Sequence, residues 1–214
     1  MTSLKKYYNQ KALNYRSSNK RAKNILKLLE KVSGKKVLDI GCANGYLGKK
    51  VLDKGNYVVG VDISEKAVKN AEKILNKVLV LDVENEKFPF KEDTFDIIIC
   101  SEVIEHLFEP NEFLKKIHKL LKKDGQLIIT TPNFLYWGHR LKFLRGNFQY
   151  KEEGPFDRGH IHFYTYKNLV EDLKLAKFKI KRENHVYPGS FLLNFIKNKF
   201  PGIFAYQLVL MVKK

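Results

Sequence analysis

Cysteine is scarce in this chain: Cys42 and Cys100 are the two it carries among 214 residues. Both sit inside apolar runs and no framework spacing joins them. That excludes a small disulfide-stapled scaffold and points to a reducing, intracellular setting. Long apolar stretches are missing too. The opening residues, MTSLKKYYNQ, contain no apolar core of the kind a signal peptide needs. The longest late run, Gly202 to Val212, is too short to span a bilayer and reads as a buried strand. The expected location is cytoplasmic. Internal repeats and low-complexity segments do not occur. Acidic residues are rare near the start: residues 1–36 hold nine lysines and two arginines against the single Glu30, a net +10 of the chain's +17. Such a face suits nucleic acid, peripheral contact with an anionic membrane surface, or an acidic substrate. The excess is mostly lysine in a chain also rich in Asn, Ile, Tyr and Phe, so a general compositional bias accounts for it as well.

What is present is the composition of a folded protein, with 44% hydrophobic and 13% aromatic residues in a length that suits one domain. Apolar residues at Ala22, Ile25, Leu26, Leu29 and Val32 mark an amphipathic helix, which Gly34 should end. The segments KKVLDIG, YVVGVDIS, KVLVLDV, FDIIICS and QLIITTPN read as strands. The helical patterns YLGKKVLDKG, EKAVKNAEKIL and NEFLKKIHKLLKKDG fall between them. Strands written as near-continuous aliphatic runs and alternating with helices mean a parallel sheet covered on both faces, the doubly wound α/β class. After Pro132 the rhythm breaks into an aromatic, basic and turn-rich stretch. It resumes with the helix YKNLVEDLKLAKF and the strands KIKREN and AYQLVLMVKK. We expect one domain over residues 1–214, with 1–30 as a helical lid and 133–163 and 186–204 as inserts on the substrate side.

The stretch VLDIGCANGYLG places Asp39 at the tip of the first strand, with glycines at 41, 45 and 48. A dinucleotide fingerprint counted from Gly41 needs a third glycine where Tyr46 stands. A P-loop needs glycine where Ala43 stands, and Lys49 is followed by Lys50 rather than Ser or Thr. Both phosphate cradles are therefore disfavoured. Small residues at Gly41, Ala43 and Gly45 let a ligand lie against bare backbone. Asp62 ends the second strand, where a carboxylate can hold a ribose diol, and Asp82 ends the third. Three carboxylates at adjacent strand ends suit a nucleoside that carries positive charge and no phosphate. S-adenosylmethionine (SAM), with its sulfonium and ammonium groups, is such a ligand.

On these residues the chain resembles the class I SAM-dependent methyltransferases over essentially its whole length. VLDIGCANGYLG is similar to that family's first motif, VVGVDIS to its second, and VLDVENEKFPFKEDTFDIIICSEVIEHL to the next two in order. The resemblance implies a Rossmann-like, mostly parallel seven-stranded sheet with an antiparallel last strand. It implies that Asp39, Gly41, Ala43 and Gly45 line the methionine portion of SAM, with Asp62 and Ile63 at the ribose and Asp82 and Val83 at the adenine. Ser101 and Glu102 would face the sulfonium.

The methyl of SAM is already a good electrophile. Transfer needs an in-line acceptor and a dry pocket, with a base if the acceptor is a hydroxyl. The candidate bases are Glu105, His106, His160 and His162. His118, His139 and His185 have plainer readings. If EVIEH is helical, Glu102, Glu105 and His106 share one face and could ligate Mg, Mn or Zn, with His160 adding a ligand from the lid. In the segment GHIHFYT, extended residues would put His160 and His162 on one side. This face resembles small-RNA 2′-O-methyltransferases and ubiquinone-pathway O-methyltransferases, which imply the set Glu102, Glu105, His106 and His160. A Glu-His pair after the fourth strand is also common in metal-free members, where it only shapes the pocket. The lid lacks the Phe-Glu-Trp-Thr segment of the RNA enzymes. It is closer to methyltransferases of polysaccharide and lipid pathways, with Tyr7, Tyr8, Tyr15, Trp137, Tyr150 and Tyr164 as candidate lining. The expectation is methyl transfer to a hydroxyl of a small-molecule or lipid-linked acceptor. Metal-dependent RNA 2′-O-methylation and a non-catalytic SAM-binding protein are the alternatives.

Overall fold

The structure, a computed structural model, describes residues 3–11, 19–189 and 194–214. After helices α1 (Ser3–Lys11) and α2 (Asn19–Leu28), strands and helices alternate as β1 (Lys36–Ile40), α3 (Tyr46–Leu52), β2 (Tyr57–Asp62), α4 (Glu65–Ala71), β3 (Lys77–Val80), β4 (Phe95–Ser101), α5 (Pro110–Leu120) and β5 (Leu121–Pro132). The chain then runs through α6 (Trp137–Leu144), α7 (Tyr166–Leu175), β6 (Lys179–Glu183), α8 (Asn194–Lys199), α9 (Pro201–Phe204) and β7 (Gln207–Lys213). One seven-stranded sheet results, in the order β3-β2-β1-β4-β5-β7-β6. Its first five strands are parallel, while β7 runs antiparallel to both β5 and β6.

Alternation along each strand divides the core between the two faces of the sheet. Leu38, Ile40, Val59, Ile98, Leu127 and Leu210 point to the face covered by α5 and α7, through Leu114, Ile117, Leu169 and Leu173. Val37, Val58, Ile97, Ile99, Ile128 and Met211 point to the other, covered by α2, α3 and α4 through Ile25, Leu29, Val51, Val68 and Ala71. Two helices are capped by hydroxyls. Ser64 Oγ accepts the Ala67 N–H at the start of α4, and Thr165 Oγ1 accepts the Asn168 N–H at the start of α7. Among the described residues no helix is long and apolar enough to cross a membrane.

Three local expectations change. The α2 helix stops at Leu28 rather than near Gly34, because i→i+3 bonds from Glu30 to Lys27 and from Val32 to Leu29 tighten the chain into a turn. The helix expected to run through KKDG ends at Leu120. The Lys119 and Leu120 carbonyls accept from the N–H groups of Asp93 and Thr94, both at 2.9 Å, and Asp124 takes a left-handed φ of 66°. β5 therefore begins at Leu121, with a register jump against β4.

The third change concerns EVIEH, which forms one 3-10 turn at Ile104–His106 instead of a helix. Glu102 is left-handed at φ 58°. The Glu105 carbonyl accepts from the N–H groups of Ile161 (2.9 Å) and His162 (3.0 Å). The N–H that a helix would have offered it, that of Glu109, donates instead to Glu84 Oε1 at 2.8 Å.

The two late inserts meet at Asn133, which is fully buried. Its Nδ2 donates to the carbonyls of Gly202 (3.1 Å) and Ala205 (2.8 Å), tying the end of β5 to the α9 loop. Replacing Asn133 with alanine leaves these acceptors buried without that donor. The expected loss is about 1–3 kcal/mol of unfolding free energy, read by urea denaturation.

Candidate active site

The five parallel strands end at one edge of the sheet, and the strand order reverses between β1 and β4, the place where open α/β sheets bind ligands. A cavity of about 610 Å³ opens there. The β1–α3 loop forms its floor. Gly41 and Cys42 donate their N–H groups to the Val61 carbonyl, and Ala43 donates its own to Asp62 Oδ2 at 2.9 Å. Gly41 has φ 71°, and a Cβ there would lie 2.5 Å from Val103 Cγ2, so no other residue fits. Asp62 Oδ1 also accepts from Ser64 N–H at 2.8 Å. Asp82 folds back on its own loop, accepting from the N–H groups of Glu84 and Asn85.

Of the expected cofactor contacts, Gly41, Ala43, Asp62, Ile63, Asp82, Val83, Ser101 and Glu102 line this cavity. Gly45 and Asp39 stand behind its wall. Gly45, at φ 80°, lies so close to α4 that a Cβ would come 3.2 Å from Ala71 Cα. Asp39 is buried beneath the loop beside a small crevice shared with Arg21, Asn44 and Ser101. Its Oδ2 has no hydrogen-bond partner in this arrangement.

Glu102 is held from three sides. Its Oε1 accepts from the Thr130 hydroxyl at 2.9 Å, its Oε2 accepts from Gln207 Nε2 at 2.8 Å, and Arg21 Nη1 lies 3.5 Å from Oε2. It is therefore separated from Glu105 and His106, which the 3-10 turn directs toward the 133–163 insert. The expected four-residue face does not form. Glu105, His106 and His160 do come together, each offering one ligand atom, with those atoms all within 4.8 Å of one another.

Both imidazoles in this cluster are fixed by backbone. His106 Nδ1 donates to the Gly159 carbonyl at 2.8 Å and His160 Nδ1 to the Pro155 carbonyl at 3.1 Å, since a carbonyl can only accept. In each ring Nε2 is then the basic atom. Glu105 is fully buried, and neither carboxylate oxygen has a hydrogen-bond partner among the described residues. Burial first, and the charge of Glu102 second, push its carboxyl well above the usual range. His162 does not join the cluster: its ring packs on Tyr164, near Asp172.

The N-terminal helix closes over this region. The Tyr8 ring meets His106 edge-on at 5.7 Å, and the Tyr7 hydroxyl donates to Asp157 Oδ1 at 3.1 Å. At the other end of the cavity, Asn9 Oδ1 accepts from the Ser64 hydroxyl at 2.8 Å, and Lys5 pairs with Glu65 at 2.7 Å. Of the aromatics expected to line the pocket, Tyr8 does so. Trp137 and Tyr150 are exposed, Tyr164 is buried against Asp172, and Tyr15 lies outside the described residues. Tyr187 and Tyr206, together with Lys20, Arg21 and Gln207, supply wall that the sequence reading missed. For Gln207 a signal existed, a lone amide opening an otherwise apolar strand directly opposite Pro132.

The comparisons with known proteins agree with this geometry. A family model described as a methyltransferase domain matches residues 13–183. The chain belongs to the class I SAM-dependent methyltransferase family. It is 36% identical over 108 residues to the mitochondrial ubiquinone biosynthesis O-methyltransferase of Schizosaccharomyces pombe, covering 46% of this chain and 38% of that protein. It is 37% identical over 126 residues to the ubiquinone biosynthesis O-methyltransferase of Pelagibacter ubique, covering 55% and 46%. The match thus spans less than half the length of these relatives. In fold, the chain superposes on a SAM-dependent methyltransferase from Mesorhizobium loti with a TM-score of 0.69 at 17% identity, covering 92% of this chain and 99% of that one. A SAM-dependent methyltransferase from Archaeoglobus fulgidus gives 0.69 at 19% identity, covering 97% and 100%.

The buried carboxyls set a pH dependence. Burial, with the nearby charge of Asp62, pushes Asp39 up to about 7. In the unfolded chain the same group loses its proton near pH 4. Between those values the native state holds the extra proton, so stability falls as pH rises from about 4 to about 7. Asp39→Asn has no proton to lose and so escapes that fall. The variant's urea stability should therefore gain on the wild type by a few kcal/mol between about pH 5 and about pH 8.

Proposed function

We propose that this chain transfers a methyl group from SAM to a hydroxyl of a small-molecule or lipid-linked acceptor. The observation that carries this reading is the continuity of one cavity. Gly41, Ala43, Asp62, Ile63, Asp82 and Val83 line one end, His106 and His160 line the other, and Glu102 lines the wall between them. In this reading the carboxylates of Asp62 and Asp82 hold the nucleoside. Glu102, already carrying three donors, sits between the two ends as a fixed negative charge beside the sulfonium. His106, with Nδ1–H anchored to the Gly159 carbonyl, presents Nε2 as the base that takes the acceptor hydroxyl proton. The relatives named as ubiquinone biosynthesis O-methyltransferases support an oxygen acceptor.

SAM binding by calorimetry tests the cofactor half. Asp62→Ala should weaken it by about tenfold or more, the worth of charge-assisted hydrogen bonds. No binding by the wild type, or undiminished binding by the variant, rejects the reading. For the acceptor half, a screen of hydroxylated aromatics, sugars and short RNA identifies the substrate. His106→Ala should then lower kcat by about 10²- to 10⁴-fold with SAM affinity retained.

A second reading adds a divalent ion held by Glu105, His106 and His160. Two features of the cluster favour it. Each histidine donates Nδ1–H to a backbone carbonyl, the support that metal-bound imidazoles ordinarily have, and Glu105 buries two oxygens without a hydrogen-bond partner, one of them 4.0 Å from His160 Nε2. Mixed N and O donors suit Zn, Mn or Mg, and such an ion would act as a Lewis acid toward the acceptor oxygen. RNA 2′-O-methylation would use the same residues. Elemental analysis of the purified protein should find about one divalent ion per chain, lost in Glu105→Ala and His160→Ala. A metal-free wild type that still methylates its acceptor returns His106 to the role of base.

A further inference from the structure

The insert that follows β5 carries an apolar surface on its outer side. Among the described residues, fourteen large hydrophobic side chains are exposed, and six of them fall in this one insert: Trp137, Leu141, Leu144, Phe148, Tyr150 and Ile161. Helix α6 explains how three of these share a face. Its inner side is occupied by His139 and Phe143, which pack on Phe156 with ring separations of 4.7 and 5.6 Å. Trp137, Leu141 and Leu144, at i, i+4 and i+7, form a second apolar stripe on the opposite side, and Leu144 is 83% exposed. Helical spacing puts Arg140 on one flank of the stripe and Arg145 on the other. From residue 133 to residue 151 the sequence has four basic residues and no acidic one.

We propose that this face docks on an anionic lipid surface. The charge pattern selects this occupant. A second copy of the chain meeting the α6 face about a two-fold axis would set like charges at Arg140, Lys142 and Arg145 together with no acid on the helix to offset them, the nearby Glu152 being paired with Arg158. Nucleic acid would match the charge but would leave Leu141 and Leu144 in water. A bilayer interface takes both: the stripe enters the headgroup boundary while the arginines meet acidic headgroups, as in interfacial amphipathic helices. The insert also forms part of the cavity wall through Gly154, Pro155 and Asp157, so docking would bring that wall to the lipid surface. The docking itself does not depend on the proposed methyl transfer.

Trp137 is the single tryptophan of the chain, so its emission reports on this face alone. Titrating the full chain with phosphatidylcholine vesicles containing phosphatidylglycerol should shift its emission to the blue, and pure phosphatidylcholine should not. Added salt should weaken the effect. Leu144→Glu and the double variant Lys142→Glu/Arg145→Glu should each reduce partitioning about tenfold or more while SAM binding stays at the wild-type level. An unchanged emission, or one that shifts equally in both variants, overturns the proposal. So does a lipid-independent shift that tracks dimer formation by light scattering, or one produced by short RNA but not by vesicles. None of these outcomes bears on SAM binding, which calorimetry reads separately.

Discussion

Strand β4 would deliver its chain straight out of the sheet if Glu102 did not turn left-handed at its end. A non-glycine residue holds that conformation only when its surroundings over-determine it. Here they do. The Glu102 N–H donates to the Thr130 carbonyl, its carboxylate takes Thr130 from the adjacent β5 and Gln207 from β7 one strand beyond, and Arg21 from α2 lies alongside. The turn sets Val103 against Gly41, which is why that glycine is required, and sends Glu105 and His106 toward the insert that follows β5. The floor of the cofactor end and the direction of the acceptor end therefore follow from one residue. A negative charge at that point, half withdrawn from water and already hydrogen-bonded, needs no reorganisation when a cation arrives beside it.

The parallel sheet was legible because buried strands leave an unmistakable record of aliphatic runs separated by glycine turns. That Asp62 and Asp82 would come together at one edge was legible for the same reason, since those runs locate the strand ends beside which both line the cavity. EVIEH was misread as a helix because a periodic stretch says nothing about which carbonyl will be taken by a distant N–H. Ile161 and His162, more than fifty residues on, compete for the Glu105 carbonyl and win. The sorting of the aromatics was invisible for a related reason. Tyr8 and Tyr164 look alike in the sequence, and only packing decides that one faces the cavity while the other donates to Asp172. Gly45 and Asp39 show the remaining limit: a small residue or an acid in the right loop can support the wall rather than form it.

The Glu105–His106–His160 cluster shows how the insert and the sheet depend on each other. Glu105 receives two N–H groups from the insert at its carbonyl, and His106 gives its Nδ1–H back to the Gly159 carbonyl. The exchange is reciprocal, so the insert is registered against the sheet through Glu105 and His106 themselves. A buried carboxyl without a hydrogen-bond partner, its Oε1 facing His160 Nε2 at 4.0 Å, is costly, and that cost is tolerated at functional centres more readily than elsewhere.

Helix α1 touches both halves of the cavity at once, through Asn9 and Lys5 at the nucleoside end and through Tyr7 and Tyr8 at the acceptor end. Neither end of the cavity can be opened by moving that helix without disturbing the other. The nine residues of α1 thus tie the two ends of the cavity to each other mechanically, although the sheet itself keeps them on separate strands.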